Sequence, residues 1–279
     1  MSAEANRPTY VLITPARNEE AHIEKTIQSV ISQSFRPLKW VIVSDGSTDR
    51  TDEIVKAHLG GRNWMQFVRL PDQRNRSFAA KVSCFNEGSR HVRDLVFDVI
   101  GNLDADISFE PDYFEFLMHK FQAMDKLGVA GTPFKENGYD TVTDSFEGQN
   151  HVAGGCQLFR RKCFEDIGGY IPVKSGGIDW IAVTTARMKG WETRSFSEKH
   201  FFHYRSLGTA DRSVLASAFN YGQKDYFLGG HPLWQIFKFL HGLFKKPYIF
   251  GGAALLSGYL WAFMTRTPKQ VSRQLMRFH

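Results

Sequence analysis

The stretch Leu95-Val96-Phe97-Asp98-Val99-Ile100-Gly101-Asn102-Leu103-Asp104-Ala105-Asp106 constrains the fold of this chain more than any other. Its apolar and β-branched residues read as a buried strand that runs straight into two carboxylates one residue apart. In extended backbone, residues i and i+2 point the same way, so Asp104 and Asp106 can face one ligand from the strand's C-terminal end. A surface turn with two solvated aspartates would share these letters, but the strand before them favours a built site. Hard cations such as Mg²⁺ or Mn²⁺ take oxygen ligands, and are typically held by one or two carboxylates plus the oxygens of a substrate phosphate. Open α/β sheets bind ligands beyond the carboxyl ends of their strands, where this pair would lie.

The rest of the N-terminal half alternates strand with helix. Tyr10 to Thr14 reads as a first strand, followed by the turn Pro15-Ala16-Arg17-Asn18-Glu19-Glu20. A helix from about Glu20 to Gln33 carries Ile23, Ile27, Val30 and Ile31 on one face. Trp40 to Ser44 is a second strand, and Asp45-Gly46-Ser47-Thr48-Asp49 is a turn able to cap a helix beginning near Thr51. Trp64 to Leu70 reads as a strand and Ser77 to Arg90 as a helix. The pattern predicts an α/β fold with a mostly parallel sheet and helices on both faces. No Gly-x-Gly-x-x-Gly follows the first strand and no Gly-x-x-x-x-Gly-Lys-Ser/Thr occurs, so a bound nucleotide would not be cradled by either device.

The three cysteines, Cys84, Cys156 and Cys163, form no Cys-x-x-Cys pair, and their odd number argues for a reducing, cytoplasmic setting. Met1 to Pro8 is polar and Tyr10 to Ile13 too short for a signal-peptide core. The net charge of +6 is unevenly spread: Tyr226 to His279 carries seven Lys or Arg and no Asp or Glu, leaving 28 basic against 29 acidic residues elsewhere. A basic segment rich in Phe, Leu and Trp points to an anionic membrane surface rather than to nucleic acid, for which no motif is present.

Pro15 with Asn18-Glu19-Glu20, the Ser44-Asp45-Gly46-Ser47-Thr48-Asp49 turn and Asp104-Ala105-Asp106, in this order, resemble the family 2 glycosyltransferases. Gly154-Gly155-Cys156-Gln157-Leu158-Phe159-Arg160-Arg161, Ile167-Gly168-Gly169-Tyr170, Asp179-Trp180 and Lys189-Gly190-Trp191 continue the similarity, which covers roughly residues 9 to 205. The resemblance implies a GT-A fold, a nucleoside-diphosphate sugar donor, a divalent cation (Mg²⁺ or Mn²⁺) and inversion at the anomeric carbon. It implies that Asp45 bonds the nucleobase and that Pro15, Ala16 and Arg17, with Glu19 beside them, line its pocket. Asp104 would contact ribose or metal, Ala105 the donor, and Asp106 the metal. His203 is the candidate third metal ligand, with His200 competing, and Arg205 would clamp the diphosphate. Asp179 takes the position of the base that deprotonates the acceptor; Ile178 replaces the glutamate that commonly precedes it. The usual Gly-Lys at the donor is replaced by Ser77-Phe78, leaving Arg76 or Lys81 to reach the donor phosphate or sugar. Gly154-Gly155, with Gly155 at the sugar, suggests close backbone approach, and the loop from Lys135 to His151 would shape the pocket as a lid.

Two domains are expected, a catalytic one over 1–228 and a helical tail over 229–279. His231 to Lys246 places Leu233, Ile236, Phe237, Leu240, Leu243 and Phe244 on one side of a helix. Pro247 to Met264 lacks charge, but at ~1.5 Å per residue it would reach about 27 Å, short of the roughly 30 Å hydrocarbon core. Basic residues on both flanks favour an interfacial helix followed by a shallow or re-entrant segment on the cytoplasmic face. A helical pair packed on the domain, or in a homo-oligomer through Gly251, Gly252 and Gly258, is the competing reading. The expected function is an inverting glycosyltransferase acting on a lipid-linked, cell-envelope or exopolysaccharide acceptor. Two other readings compete: a sugar nucleotidyltransferase, whose Gly-rich basic loop Thr14 to Glu20 lacks, and a non-catalytic membrane adaptor, against which Asp104, Asp106 and Asp179 stand.

Overall fold

The computed structural model describes residues 7–71, 78–136, 139–140, 148–173, 176–205, 214–242 and 249–278. The chain divides into two compact units, Met1–Lys174 with Ile178–Tyr204, and Ser175–Gly177 with Arg205–His279. In the first, strands and helices follow as β1 (Tyr10–Ala16), α1 (Ile23–Ile31), β2 (Lys39–Asp45), α2 (Thr51–Ala57), β3 (Met65–Leu70), α3 (Phe78–Arg90) and β4 (Val99–Leu103). Next come β5 (Ile107–Ser108), α4 (Tyr113–Ala123), β6 (Leu127–Gly131), β7 (Phe134–Glu136), β8 (Tyr139–Asp140) and β9 (Cys156–Arg160). The unit closes with α5 (Arg161–Asp166), α6 (Ile178–Met188), β10 (Glu192–Ser195) and β11 (Phe201–His203).

The long apolar runs pair into a seven-stranded sheet of order β10-β6-β9-β4-β1-β2-β3. All its pairings are parallel except those of β9, which runs antiparallel to both β4 and β6. Every residue of β4 is buried, as a central strand covered on both faces requires. At Gly101 in β4 a side chain would collide with Leu158 and Leu12, so glycine there lets the flanking strands' leucines meet over it. Helix α1 lays Ile23, Ile27 and Val30 into the core. A smaller sheet, β5-β11-β7-β8, holds segments that matter to the site.

Two boundaries differ from the sequence reading. The strand leading to the paired aspartates begins at Val99 rather than Leu95; Leu95 is exposed and Val96 is 91% exposed. The reason is Asp98, whose carboxylate accepts the Thr9 N–H at 2.8 Å and the Thr9 hydroxyl at 3.0 Å, fixing where the chain joins the sheet. Helix α1 begins at Ile23 rather than Glu20, because the residues before it form a turn whose Glu19 carbonyl accepts the N–H of His22 and Ile23.

The second unit contains α7 (Val214–Phe227), α8 (Pro232–Gly242), α9 (Ile249–Met264) and α10 (Arg273–Phe278). Helices α7 and α9 touch backbone to backbone: a Cβ on Gly222 would overlap the Leu255 carbonyl, and one on Gly258 the Phe219 carbonyl. A Cβ on Gly252 would come within 2.9 Å of the Phe239 carbonyl on α8, so glycines that invited an oligomer reading pack helices inside this unit. Lys238 donates to Asp225 at 2.9 Å and the Tyr259 hydroxyl to the Gly230 carbonyl at 2.8 Å. Leu233, Ile236, Phe237 and Leu240 on α8, and Ile249, Phe250, Trp261, Phe263 and Met264 on α9, remain exposed. Among the described residues no helix is long and apolar enough to cross a membrane. Lys245, Lys246 and the end of the expected amphipathic helix lie outside the described residues.

Candidate active site

Two turns at the carboxyl ends of β1 and β2 are knitted together. Asn18 adopts a left-handed backbone (φ 54°), its side-chain oxygen accepts the Thr48 N–H at 2.9 Å, and its N–H donates to the Ser47 hydroxyl at 3.2 Å. The Glu19 N–H donates to the Thr51 hydroxyl at 2.7 Å, and the Glu20 N–H to Asp49 at 3.0 Å. Burial pushes Asp49 up, but the hydroxyl of Thr51 and the backbone N–H groups of Glu20 and Thr51 outweigh it and hold the carboxyl below the usual range. This frame presents Arg17 beside Asp45, Nη1 to Oδ2 at 3.1 Å, both largely buried. Pro15 and Ala16 pair with Val43 and Ser44 at the same sheet edge, and Glu19 is buried beneath.

The second half of the site lies where β4 ends. The Asp104 N–H donates to the Gly155 carbonyl at 2.8 Å, the Asn102 amide to the Gly154 carbonyl at 2.9 Å, and the Tyr204 N–H to the Asp106 carbonyl at 3.0 Å. From below, the buried Thr26 hydroxyl stands 2.9 Å and 2.7 Å from the carbonyls of Ala105 and Ile107. Backbone ties on both sides therefore fix the two aspartates before any ligand arrives. Asp179, in the first turn of α6, lies against the Gly154 backbone, where an added Cβ would come 3.0 Å from its Oδ2. A Cβ on Gly155 would lie 3.1 Å from the Phe201 ring and 3.9 Å from Asp104 Oδ2, so the glycine pair permits this approach.

Lys81 on α3 points into the carboxylates and forms an ion pair with Asp104. Burial presses its ammonium toward the neutral form, but Asp104 foremost, then Asp179 and Asp106, outweigh burial and raise its pKa. Asp104 shifts upward as well: burial is the chief cause and Asp106 adds to it, while Lys81 and His203 pull the other way without cancelling them. The Lys81 ammonium thus pairs with Asp104 and feels the charge of Asp179 and Asp106.

His203 on β11 stands beside Asp106, Nε2 to Oδ1 at 3.6 Å, with Glu136 on β7 at 3.4 Å from its Nδ1. The His203 side chain is 9% exposed, and its Nδ1 is buried without a hydrogen bond. Two donors each about 2.1 Å from one cation stand about 3–4 Å apart, so Asp106 and His203 are spaced to share an ion. Among the described residues no group of three or more His, Cys, Asp or Glu is arranged to hold a metal. The Asp106–His203 pair fits a cation that completes its shell with substrate phosphate oxygens, while Asp104 is turned to Lys81.

Of the residues singled out in the sequence, Lys81, Asp104, Asp106, Gly155, Asp179 and His203 come together here, and Pro15, Ala16, Arg17 and Asp45 form the neighbouring corner. His200 packs edge-on against Phe202. Arg205 belongs to the second unit, and Arg76 and most of the expected lid between Lys135 and His151 lie outside the described residues. Glu136 and the Lys81–Asp104 pairing were not anticipated, since neither has a signal in residue spacing. Burial first, then the charge of Asp45, pushes the Cys84 thiol up to about 12 despite Arg17.

A mostly parallel sheet with one antiparallel strand, whose strand ends carry Asp45 and the paired Asp104 and Asp106, has the architecture of the GT-A fold. The profile of glycosyl transferase family 2 matches residues 11–168, more than half of the chain, and the chain belongs to that family. The poly-beta-1,6-N-acetyl-D-glucosamine synthase of Staphylococcus epidermidis is 26% identical over 170 residues, 54% of this chain and 39% of that protein. Its counterpart in Staphylococcus aureus (strain COL) is 29% identical over 117 residues, 42% of this chain and 26% of that protein. The chain thus spans about two fifths or less of the curated relatives it matches. Among solved structures, the mannosyltransferase PcManGT from Pyrobaculum calidifontis in complex with GDP-Man and Mn²⁺ aligns with a TM-score of 0.61 at 18% identity, over 97% of this chain and 78% of that one. S. aureus TarS 1-349 in complex with UDP-GlcNAc aligns with a TM-score of 0.58 at 14% identity, over 97% of this chain and 79% of that one. At these identities the likeness establishes the fold.

Proposed function

We propose that this chain transfers a sugar, with inversion, from a nucleoside-diphosphate sugar to a hydroxyl or phosphate of a lipid-linked or cell-envelope glycan. The observation that carries the reading is the Lys81–Asp104 ion pair after β4, with Asp106 set against His203 two residues on and Asp179 against the backbone of Gly154. Asp45 accepts from the nucleobase, with Arg17 holding its carboxylate in place. Asp106 and His203 hold Mg²⁺ or Mn²⁺, which supplies Lewis-acid stabilisation of the departing diphosphate. Lys81 adds positive charge for the donor phosphates. Asp179 takes the acceptor proton as the acceptor oxygen bonds to the anomeric carbon and the bond from that carbon to the diphosphate breaks.

The curated relatives are synthases of a poly-N-acetylglucosamine, which supports a polysaccharide or envelope acceptor. The two solved neighbours hold GDP-Man and UDP-GlcNAc, so either guanine or uracil is compatible with this fold. The exposed apolar residues of α8 and α9, together with the surplus of basic residues after Tyr226, support seating on an anionic membrane surface where a lipid-linked acceptor resides. The test is Asp106→Asn assayed for release of nucleoside diphosphate in the presence of acceptor. Transfer is expected to be lost while the unfolding midpoint barely moves; full activity would remove the metal assignment, and no turnover by the parent chain would favour the adaptor reading.

A further inference from the structure

The environment of His203 carries more than a metal ligand needs. Its ring lies between two acids on different strands: Asp106, after β4, faces Nε2 at 3.6 Å, and Glu136, at the end of β7, faces Nδ1 at 3.4 Å. The side chains of His203, Asp106 and Glu136 are 9%, 11% and 10% exposed, so water does little to screen these approaches. A neutral imidazole donates through one nitrogen only. With the proton on Nε2, the Nδ1 lone pair would face the Glu136 carboxylate, two acceptors in contact. With the proton on Nδ1, Glu136 at 3.4 Å is the acceptor within reach, a contact that a turn of the ring or carboxylate converts to a hydrogen bond since Nδ1 makes none as it stands, and Nε2 offers its lone pair on the side of Asp106. That lone pair beside a carboxylate is itself unfavourable unless a cation enters between them. Of the two neutral tautomers, the one protonated on Nδ1 leaves Nε2 available to a cation beside Asp106.

We propose that Glu136 is a positioning residue: it accepts the Nδ1–H of His203 and so presents Nε2, together with Asp106, to a divalent cation. The inference rests on the reading of His203 as a metal ligand and adds a residue that this reading did not contain. Histidines that bind metal commonly pass their other ring N–H to a carboxylate or carbonyl, which fixes the ring and raises its basicity. Position supports the role. β7 and β11 are parallel neighbours, with Phe201 opposite Phe134 and Phe202 opposite Lys135, so Glu136 reaches His203 at the next step of the ladder. Phe134 also packs its ring 5.8 Å from that of His203, limiting how far the imidazole can turn.

The experiment titrates Mn²⁺ alone into the full chain and follows free Mn²⁺ by electron paramagnetic resonance, for the parent, Glu136→Gln, His203→Ala, the double variant and Asp106→Asn. Glu136→Gln is expected to weaken Mn²⁺ binding by about 10–100-fold, the usual cost of losing an outer carboxylate. In the His203→Ala background the same substitution should cost less than about twofold, because its effect passes through the imidazole. An unchanged affinity in Glu136→Gln with a weakened His203→Ala overturns the role of Glu136 and leaves the metal reading standing. An unchanged affinity in both His203→Ala and Asp106→Asn overturns the metal reading, and the inference falls with it. If Glu136→Gln does not fold, ¹⁵N shifts of the His203 ring in the Mg²⁺-loaded parent decide directly. A protonated Nδ1 supports the proposal and a protonated Nε2 overturns it.

Discussion

Replacing Lys81 by methionine keeps the aliphatic stem and removes the ammonium that pairs with Asp104. Stripping one partner from a fully buried ion pair costs about 3–5 kcal/mol, whereas an exposed pair is worth at most about 1 kcal/mol. The side chains of Lys81 and Asp104 are 26% and 24% exposed, between those limits but nearer the buried one, so a loss of about 2–3 kcal/mol is expected near neutral pH. The sign with pH follows from Asp104. Burial raises its folded pKa above the ordinary value, so the folded chain holds that proton more readily than the unfolded one, and stability falls as pH rises from the ordinary carboxylate range through the folded pKa. Lys81→Met removes an opposing influence, raises that folded pKa further and deepens the fall; below the ordinary range Asp104 is neutral in both states and the difference narrows. Lys81's own raised pKa acts at the other end: its contribution is complete below the ordinary lysine value and is lost as pH climbs through the folded one. Urea unfolding followed by circular dichroism at about pH 4 and about pH 7 measures the loss and its dependence on Asp104. In an Asp104→Asn background the cost of Lys81→Met should shrink by about 1–2 kcal/mol. A loss under about 0.5 kcal/mol, or one equal at both pH values, would refute the reasoning.

Asp179→Asn should lower transfer by at least about 100-fold while leaving the donor-induced thermal shift in place, and normal turnover would remove it as the base. Gly258→Ala places a methyl where the Phe219 carbonyl stands, so the α7–α9 pair should lose about 2–3 kcal/mol, read as faster amide exchange in α9; unchanged exchange would contradict the close packing. The buried thiols of Cys84, Cys156 and Cys163 are each pushed up to about 12, chiefly by burial, so iodoacetamide at neutral pH should label them only after unfolding. Rapid labelling of the native chain would count against that burial.

The sequence carried the sheet's main strands because residues buried on both faces leave near-continuous apolar runs, as in Val11 to Ile13 and Trp40 to Val43. The same runs carry no record of which strand lies beside which, so the antiparallel β9 between β4 and β6 had no signal. Apolar character also misplaced the start of β4: Leu95 and Val96 look like strand, but the Asp98–Thr9 hydrogen bonds set the entry point. The smaller sheet, with strands of two or three residues, is too short to have a period. Within the site, Asp104 and Asp106 stood out at the end of an apolar strand, and Asp179 through the family resemblance. The contacts that join them were not, because Lys81 lies 23 residues before Asp104 and Glu136 lies 67 before His203. Both pairings depend on tertiary placement.

The most direct measurement is a thermal-shift panel of UDP-, GDP-, dTDP- and CMP-sugars, each with Mn²⁺ and with EDTA. A donor that binds the native chain at a hundredfold excess over its Kd stabilises it by about 2.7 kcal/mol, enough to move the midpoint by several degrees. The predicted result is a rise with one class of nucleotide sugar, present with Mn²⁺ and lost with EDTA and in Asp106→Asn. No metal-dependent rise with any donor would contradict the assignment of this acid cluster as a nucleotide-sugar site.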